Sequence, residues 1–431
     1  MRQLLECPPV PVPHPDGLSR AGECMSIFNF QVVTPLFGGG TAPGSNDEVT
    51  PVRGSSIRGH LRFWWRATKG TEFDDASKLR KEETSIWGSA SVPSSVSLHV
   101  SKVNSGKIFG ETDLENNDKY VLFPFFSNGQ SGKAKMQITF VLTLSYPESK
   151  RDDVMAALWA WTNFGGLGAR TRRGCGALFC SDLSPNERFQ TSADVQTWYS
   201  NMLQKFGIKT AANPKEWPTL PAEIVCKRTE SDVLRAWRDA IEVLYQFRQG
   251  GGIGRTRRNG RSRWPEADYI RRLTRQSNSR HREPITTIDG FPRAEFGLPI
   301  IFHFKDVKSG DPPDSTLKPS QNERGDRSAN PGDRMASPVV IKPLAVHGDK
   351  ALAIVLVLVT QPLVGAVLQV GDAKDQRSTN SRSVGKDHII KATDIRNPSF
   401  AAYENSPMRG RTSTGSAIEA FLHFVRERWS V

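Results

Sequence analysis

Apolar and polar positions along the chain fall into runs whose spacing predicts an ordered succession of strands and helices. Ser26 to Val33 predicts a strand, followed by a Gly-rich loop from Pro35 to Gly40. Between Ser55 and Ala67, Ile57, Leu61, Trp64 and Trp65 fall on one face of a helix turned by about 100° per residue, with Ser55 or Ser56 as its cap. A second helix is expected over Asp74 to Ile86, and strands over Val96 to Val103 and Met136 to Ser145. Ser149 to Phe164 predicts a helix with an apolar stripe of Val154, Leu158 and Trp161, stopped by Gly165 and Gly166. Ala177 to Cys180 closes the series as a short strand.

The order strand, helix, strand, strand, helix, strand is the split βαβ, ferredoxin-like arrangement. Beyond Leu183, helices are expected over Thr191 to Phe206, Ser231 to Phe247 and Ser416 to Glu427. Strands are expected over Leu298 to Lys305, Val339 to Val346 and Ala351 to Val359, which suits a second mixed unit. With 431 residues the chain exceeds one ordinary core. The expectation is an α+β protein with a Pro-rich leader (1–25), a first unit (26–183) and a second (184–431). Asp306 to Arg334 holds almost nothing apolar and is expected to be a flexible insert, with Gly371 to Asp387 a weaker case.

Charge narrows the function. The chain carries 58 basic against 45 acidic residues, a net charge of +13, which favours an anionic partner. Eleven arginines and no lysine lie between Arg248 and Arg282, against only Glu266 and Asp268, and arginine favours forked, planar contacts to phosphates and bases. The five scattered cysteines (Cys7, Cys24, Cys175, Cys180, Cys226) suggest reduced thiols in a cytoplasmic protein and no metal site. The leader lacks the apolar region of a signal peptide. The longest apolar run, Ala351 to Val359, is about half of a membrane span. No membrane and no cofactor are expected.

Two patterns suit RNA. On the helix after the first loop, Arg58, Arg62 and Arg66 form an i, i+4, i+8 row beside the apolar face, with Trp65 bordering it as a stacking candidate. The same row is also what a core helix with solvated arginines shows. A Gly/Arg segment occurs twice: Gly165 to Gly174 carries Arg170, Arg172 and Arg173, and Gly251 to Gly260 carries Arg255, Arg257 and Arg258, followed by Arg261 and Arg263. Gly38, Gly39, Gly165, Gly166, Gly168 and Gly174 would let a phosphodiester approach the backbone; a plain helix stop remains the other reading. Neither copy is a Walker loop or a dinucleotide fingerprint. Arg334 and Lys342 are further candidate phosphate contacts.

The Thr34 to Gly39 loop, the Ser56-Ile57-Arg58-Gly59-His60-Leu61-Arg62-Phe63-Trp64-Trp65-Arg66-Ala67 segment and the Gly165 to Gly176 loop resemble the RAMP superfamily of CRISPR proteins. Within it, Gly260 to Glu266, Phe291 to Pro299 and Arg334 to Pro338 are similar to later motifs of the first-subunit family of the Cmr (type III-B) effector. The resemblance spans about Ser26 to Val359. It implies two ferredoxin-like (RRM-like, βαββαβ) RAMP domains with Gly-rich loops and insertions. It also implies a non-catalytic subunit near the guide RNA 3′ end, whose partners are the crRNA, the single-stranded target RNA and other Cmr complex subunits. Two readings compete: a RAMP-type guide-processing endoribonuclease using His60 or His281 as base, and a stand-alone single-strand RNA-binding protein. No paired-carboxylate or metal-ligand spacing stands out.

Overall fold

The computed structural model of the protein describes residues 22–40, 46–47, 49–115, 117–126, 134–211, 213–249, 262–305, 307–320, 334–346, 349–371 and 387–430. Its first half runs β1 (Glu23–Val32), α1 (Gly54–Lys69), α2 (Ala76–Trp87), β2 (Ser97–Ser101), β3 (Lys107–Phe109), α3 (Asp118–Phe126), β4 (Ala134–Met136), β5 (Thr139–Pro147), α4 (Arg151–Phe164) and β6 (Leu178–Phe179). The second half opens with α5 (Ser192–Lys205), β7 (Val225–Cys226), β8 (Ser231–Asp232), α6 (Val233–Gln249), α7 (Glu266–Thr274), β9 (Ile300–Phe302) and β10 (Ser315–Pro319). It closes with β11 (Val339–Ala345), β12 (Lys350–Val357), β13 (Gly365–Val370), β14 (Asp387–Lys391), α8 (Ala392–Ile395), α9 (Pro398–Ala402) and α10 (Ala417–Trp429).

The first sheet has the order β2-β5-β1-β6, with every neighbouring pair antiparallel. Alternation sets its two faces: β5 turns Phe140, Leu142, Leu144 and Tyr146 inward, and β1 turns in Phe28, Phe30 and Val32. Phe30 stacks on Phe140 at 5.2 Å and meets Trp161 of α4 at 5.3 Å, which seats the helices on this face. β1 begins inside the expected leader because Glu23, Cys24 and Met25 continue the ladder against Pro147, Tyr146 and Ser145. The entry to α1 also differs from expectation. Arg53 in extended conformation precedes the helix with no side-chain cap, and Ser55 and Ser56 lie within the first turn.

Two further sheets occupy the second half, where the pattern predicts one mixed unit. The order β11-β12-β7, with β8 also on β12, makes one of them. It is buried on both sides: Val339, Ile341 and Val355 pack with α6 and α10, while Val340, Leu344 and Ile354 join the core of the first half. A strand covered twice reads as a continuous apolar run, as 351–359 does. The third sheet, β14-β13-β10-β9, has its own small core of Ile270, Phe291, Leu317, Leu368, Ile390 and neighbours.

The polar composition of the expected insert conceals β10, whose Leu317 is fully buried because β13 and β9 supply the surrounding apolar surface. Residues 321–333 of that segment, and 372–386 of the weaker one, lie outside the described residues. No helix among the described residues is long and apolar enough to cross a membrane.

Candidate nucleic-acid interface

On α1 the arginine row is only partly free. Arg62 Nε and Arg66 Nη1 each donate to Glu83 Oε1 of α2 at 2.6 Å. That carboxyl is almost wholly buried and needs a cation, so both arginines are tied into the packing of α1 on α2. Arg58, half-buried, has no ion pair among the described residues. The stacking expectation for Trp65 is corrected. Its ring is fully buried, against Phe73 on one side, and its Nε1 donates to Asp153 Oδ1 at 2.7 Å, so it has no face to offer a base.

The loop after α4 folds back onto the first Gly-rich loop by main-chain bonds. Gly176 N donates to Pro35 O at 2.9 Å, Ala169 N to Phe37 O at 2.7 Å and Leu167 N to Gly176 O at 2.9 Å. Thr34 Oγ1 adds a bond to Gly174 O at 2.6 Å and accepts from Ala177 N. This packing corrects the role of three glycines. Gly165, Gly166 and Gly174 are buried, and a Cβ at Gly174 would meet the Trp237 ring at 2.6 Å. The amides of Gly165 and Gly174 are spent on Trp161 O and Thr171 O, not held out to a phosphate. Gly38, Gly39 and Gly168 form the outer tip, where Gly39 and Gly168 are exposed. Gly168 has φ +78°, and a Cβ there would run into Phe37 O, so only glycine keeps the two loops in contact.

Beside that tip the loop gathers its arginines. Arg170 has left-handed backbone angles and places its guanidinium 4.9 Å from the centre of the Phe123 ring. Arg172 donates to Ser337 O and lies over Phe63 at 5.2 Å, while Arg173 Nη1 donates to Val339 O at 2.7 Å. None of the three meets a carboxylate in a contact among the described residues.

Arg248, in the last turn of α6, joins them. Burial first, then the charge of Arg248 and more weakly those of Arg170 and Arg172, lower Arg173 to about 9. Burial also lowers Arg170 and Arg172, with Arg248 opposing the Arg170 charge as well. Guanidinium groups nevertheless keep their protons in proteins. Four neighbouring cations that pair with no carboxylate among the described residues make a positive focus that an anion relieves.

Three segments singled out in the sequence converge nearby. Met335 pairs with Leu298 through a β-bridge, and Ser337 receives Arg172. Met335, Ala336 and Pro338 line, with Arg172, Glu295 and Arg396, a groove of about 270 Å³. Glu295 is occupied there in capping α10, accepting from Ala417 N at 2.6 Å and Ser416 Oγ at 2.9 Å.

The remaining candidates divide. Lys342 is corrected: it is fully buried in β11 and donates to Gly165 O at 2.9 Å, so it ties the second sheet to the first loop and reaches no phosphate. Burial holds its ammonium down to about 7. Arg334 is exposed and Arg263 half-buried, while Arg255, Arg257, Arg258 and Arg261 lie outside the described residues. His281 is held by Asp311 at 2.8 Å and Arg271 at 3.2 Å, and burial lowers the pKa of His60. No group of three potential metal ligands occurs among the described residues.

Sequence reading missed Arg248 and Phe123 as site residues. Arg248 is the first of the eleven clustered arginines and closes an amphipathic helix, a usable signal. Phe123 sits in the apolar run Tyr120 to Phe126, where nothing distinguishes an outward ring from core.

Residues 29–179 match the RAMP superfamily. Cmr subunit Cmr1-1 of Pyrococcus furiosus is 28% identical over 223 residues, covering 46% of this chain and 64% of that protein. Cmr1-2 of the same organism is 29% identical over 178 residues, 36% of this chain and 93% of the relative. The chain thus spans just under two thirds of the length of the first relative. Among solved structures, apo Cmr1 from Pyrococcus furiosus has a TM-score of 0.44 at 18% identity, covering 79% of this chain and 89% of that one. A chain of the type III-B Cmr-beta complex bound to cognate target RNA has a TM-score of 0.42 at 11% identity, covering 78% and 94%. Residues 29–179 are thus similar to the RAMP superfamily, and the chain is similar to the Cmr1 subunits of Pyrococcus furiosus.

Proposed function

We propose that this chain is a RAMP-superfamily homologue of Cmr1 and a non-catalytic RNA-binding subunit of a cytoplasmic type III-B CRISPR (Cmr) effector complex. It sits near the 3′ end of the guide RNA and helps capture target RNA. The observation that carries the reading is the cluster of Arg170, Arg172, Arg173 and Arg248, four cations that pair with no carboxylate among the described residues, two of them bonded to Ser337 O and Val339 O where the two halves join. Such a site grips a sugar-phosphate backbone and leaves sequence to base pairing. Exposed Arg334 and half-buried Arg58 and Arg263 are further arginines with no ion pair among the described residues, and the Arg255 to Arg261 group follows Arg248 closely in sequence.

The β6-β1-β5-β2 order supports a ferredoxin-like first domain, since it is the fourth, first, third and second strand of a βαββαβ unit. In the second half, β7, α6, β11 and β12 repeat that unit without its last strand, and the third sheet is an insertion. A nuclease reading finds less support, because His281 is engaged by Asp311 and Arg271 and His60 has no acidic partner among the described contacts.

Purification of the tagged chain from its native cells tests the proposal. Co-elution with other effector subunits and with short RNA of uniform length is the expected result. Elution as a monomer without either overturns it.

A further inference from the structure

We infer that Phe123 and Arg170 form a stacking platform for one unpaired base of single-stranded RNA. This rests on the RNA-binding reading above and names a contact within it. Phe123 is 58% exposed and is the one aromatic residue among the exposed large hydrophobic side chains of the described residues. Its helix is otherwise anchored: Val121, Leu122 and Phe125 are buried, and Phe125 stacks on Phe37 at 4.3 Å. The outward ring is therefore held rigidly beside the Gly38–Gly168 tip.

The Arg170 guanidinium covers the ring at 4.9 Å, and it makes no hydrogen bond to another described residue. An aromatic face and a guanidinium plane are the two surfaces on which proteins stack splayed bases. The backbone is specialised to present it. Arg170 has φ +60° and ψ +28°, sparsely populated for a residue with a Cβ, and the conformation is fixed by Arg173 N and Cys175 N donating to Arg170 O at 2.8 and 3.4 Å. With Gly39 and Gly168 exposed at the tip, no side chain of theirs crowds the approach. Arg172, Arg173 and Arg248 supply the attraction for the adjoining phosphates. An exposed ring could also meet a protein surface, but a cluster of arginines that pairs with no carboxylate among the described residues favours a polyanion, and every base has a face to stack.

The test uses the whole chain and single-stranded RNA carrying 2-aminopurine at successive positions. Phe123→Ala and Phe123→Leu should weaken binding about tenfold, the loss of one stack, and abolish fluorescence quenching at one position. Phe123→Tyr should restore both, and the salt dependence of binding should stay that of the wild type in all three. Wild-type binding and quenching in Phe123→Leu would overturn the platform alone. So would loss of co-purifying protein subunits with RNA binding intact, which would make Phe123 a protein contact. Absence of RNA binding by the wild-type chain would overturn the platform together with the RNA-binding reading.

Discussion

On α1, Arg62 and Arg66 close on one buried carboxylate, Glu83; in the loop after α4, Arg170, Arg172 and Arg173 meet aromatic rings, carbonyl oxygens and one another. The residue type is the same and the surroundings differ in one respect: whether an acid faces the cation. A guanidinium paired with a buried acid is part of the packing, because separating them strands a charge in a poor solvent. A guanidinium paired with a ring or a carbonyl keeps its net charge available. Arginine counts therefore locate positive charge without saying which arginines hold ligand.

The largest effect expected on the α1 side is on stability. Trp65→Ala removes a fully buried indole and its bond to Asp153, and should cost about 3–5 kcal/mol. A large fall in Tm in thermal unfolding is the expected outcome. Unchanged Tm with lost RNA binding would return Trp65 to the interface and break the contrast.

Next come paired deletions. Arg62→Ala with Arg66→Ala leaves Glu83 unpaired and should cost about 2 kcal/mol of stability, with RNA affinity nearly unchanged. Arg170→Ala with Arg248→Ala should do the reverse. Binding should fall by tenfold or more, with the slope of log K against log salt shallower by about 0.7 per lost phosphate contact, and Tm should hold. Titrations at several salt concentrations alongside melting curves separate the two; equal behaviour of the two pairs would dissolve the distinction.

The effect that is smallest per step, read one pH unit at a time, lies where the two halves join. Lys342 has its ammonium lowered by burial from 10.5 to about 7. Between these values the unfolded chain holds a proton that the folded chain has released, so stability rises with pH across that window and is level below it, by at most about 1.4 kcal/mol per pH unit. Lys342→Met should flatten that rise in denaturant titrations from pH 7 to 10. A rise of equal slope in the variant would remove Lys342 as its source.

Much of the secondary structure was legible. The alternation in Gln137 to Leu144 and the stripes of α1, α4 and α6 place elements within a few residues of the observed ones, since periodicity reports which side of an element is buried. What eluded it had no periodicity of its own. β10 lies in a polar stretch and gains its apolar surroundings from strands on either side in the sheet, β9 some fifteen residues earlier and β13 some fifty residues later. The expected cap at Ser55 or Ser56 failed because any of several small polar residues can start a helix, and the chain's entry angle after Arg53 selects the start. Trp65 and Lys342 were misplaced because burial of an amphipathic side chain depends on what packs over it from a distant segment, here Asp153 and Gly165.

By itself the sequence determined the excess of positive charge, its concentration in arginine, the glycine positions that permit two loops to touch, and a likeness to RAMP proteins. All of these are properties of residue type and spacing along one chain. Only the tertiary structure decided which arginines are spent on Glu83, that Arg248 joins the loop of Arg170 to Arg173, and that Phe123 faces outward. Those outcomes depend on approaches between residues 17 to nearly 90 positions apart, and the free energy of a charge or a ring is set by what those approaches leave beside it.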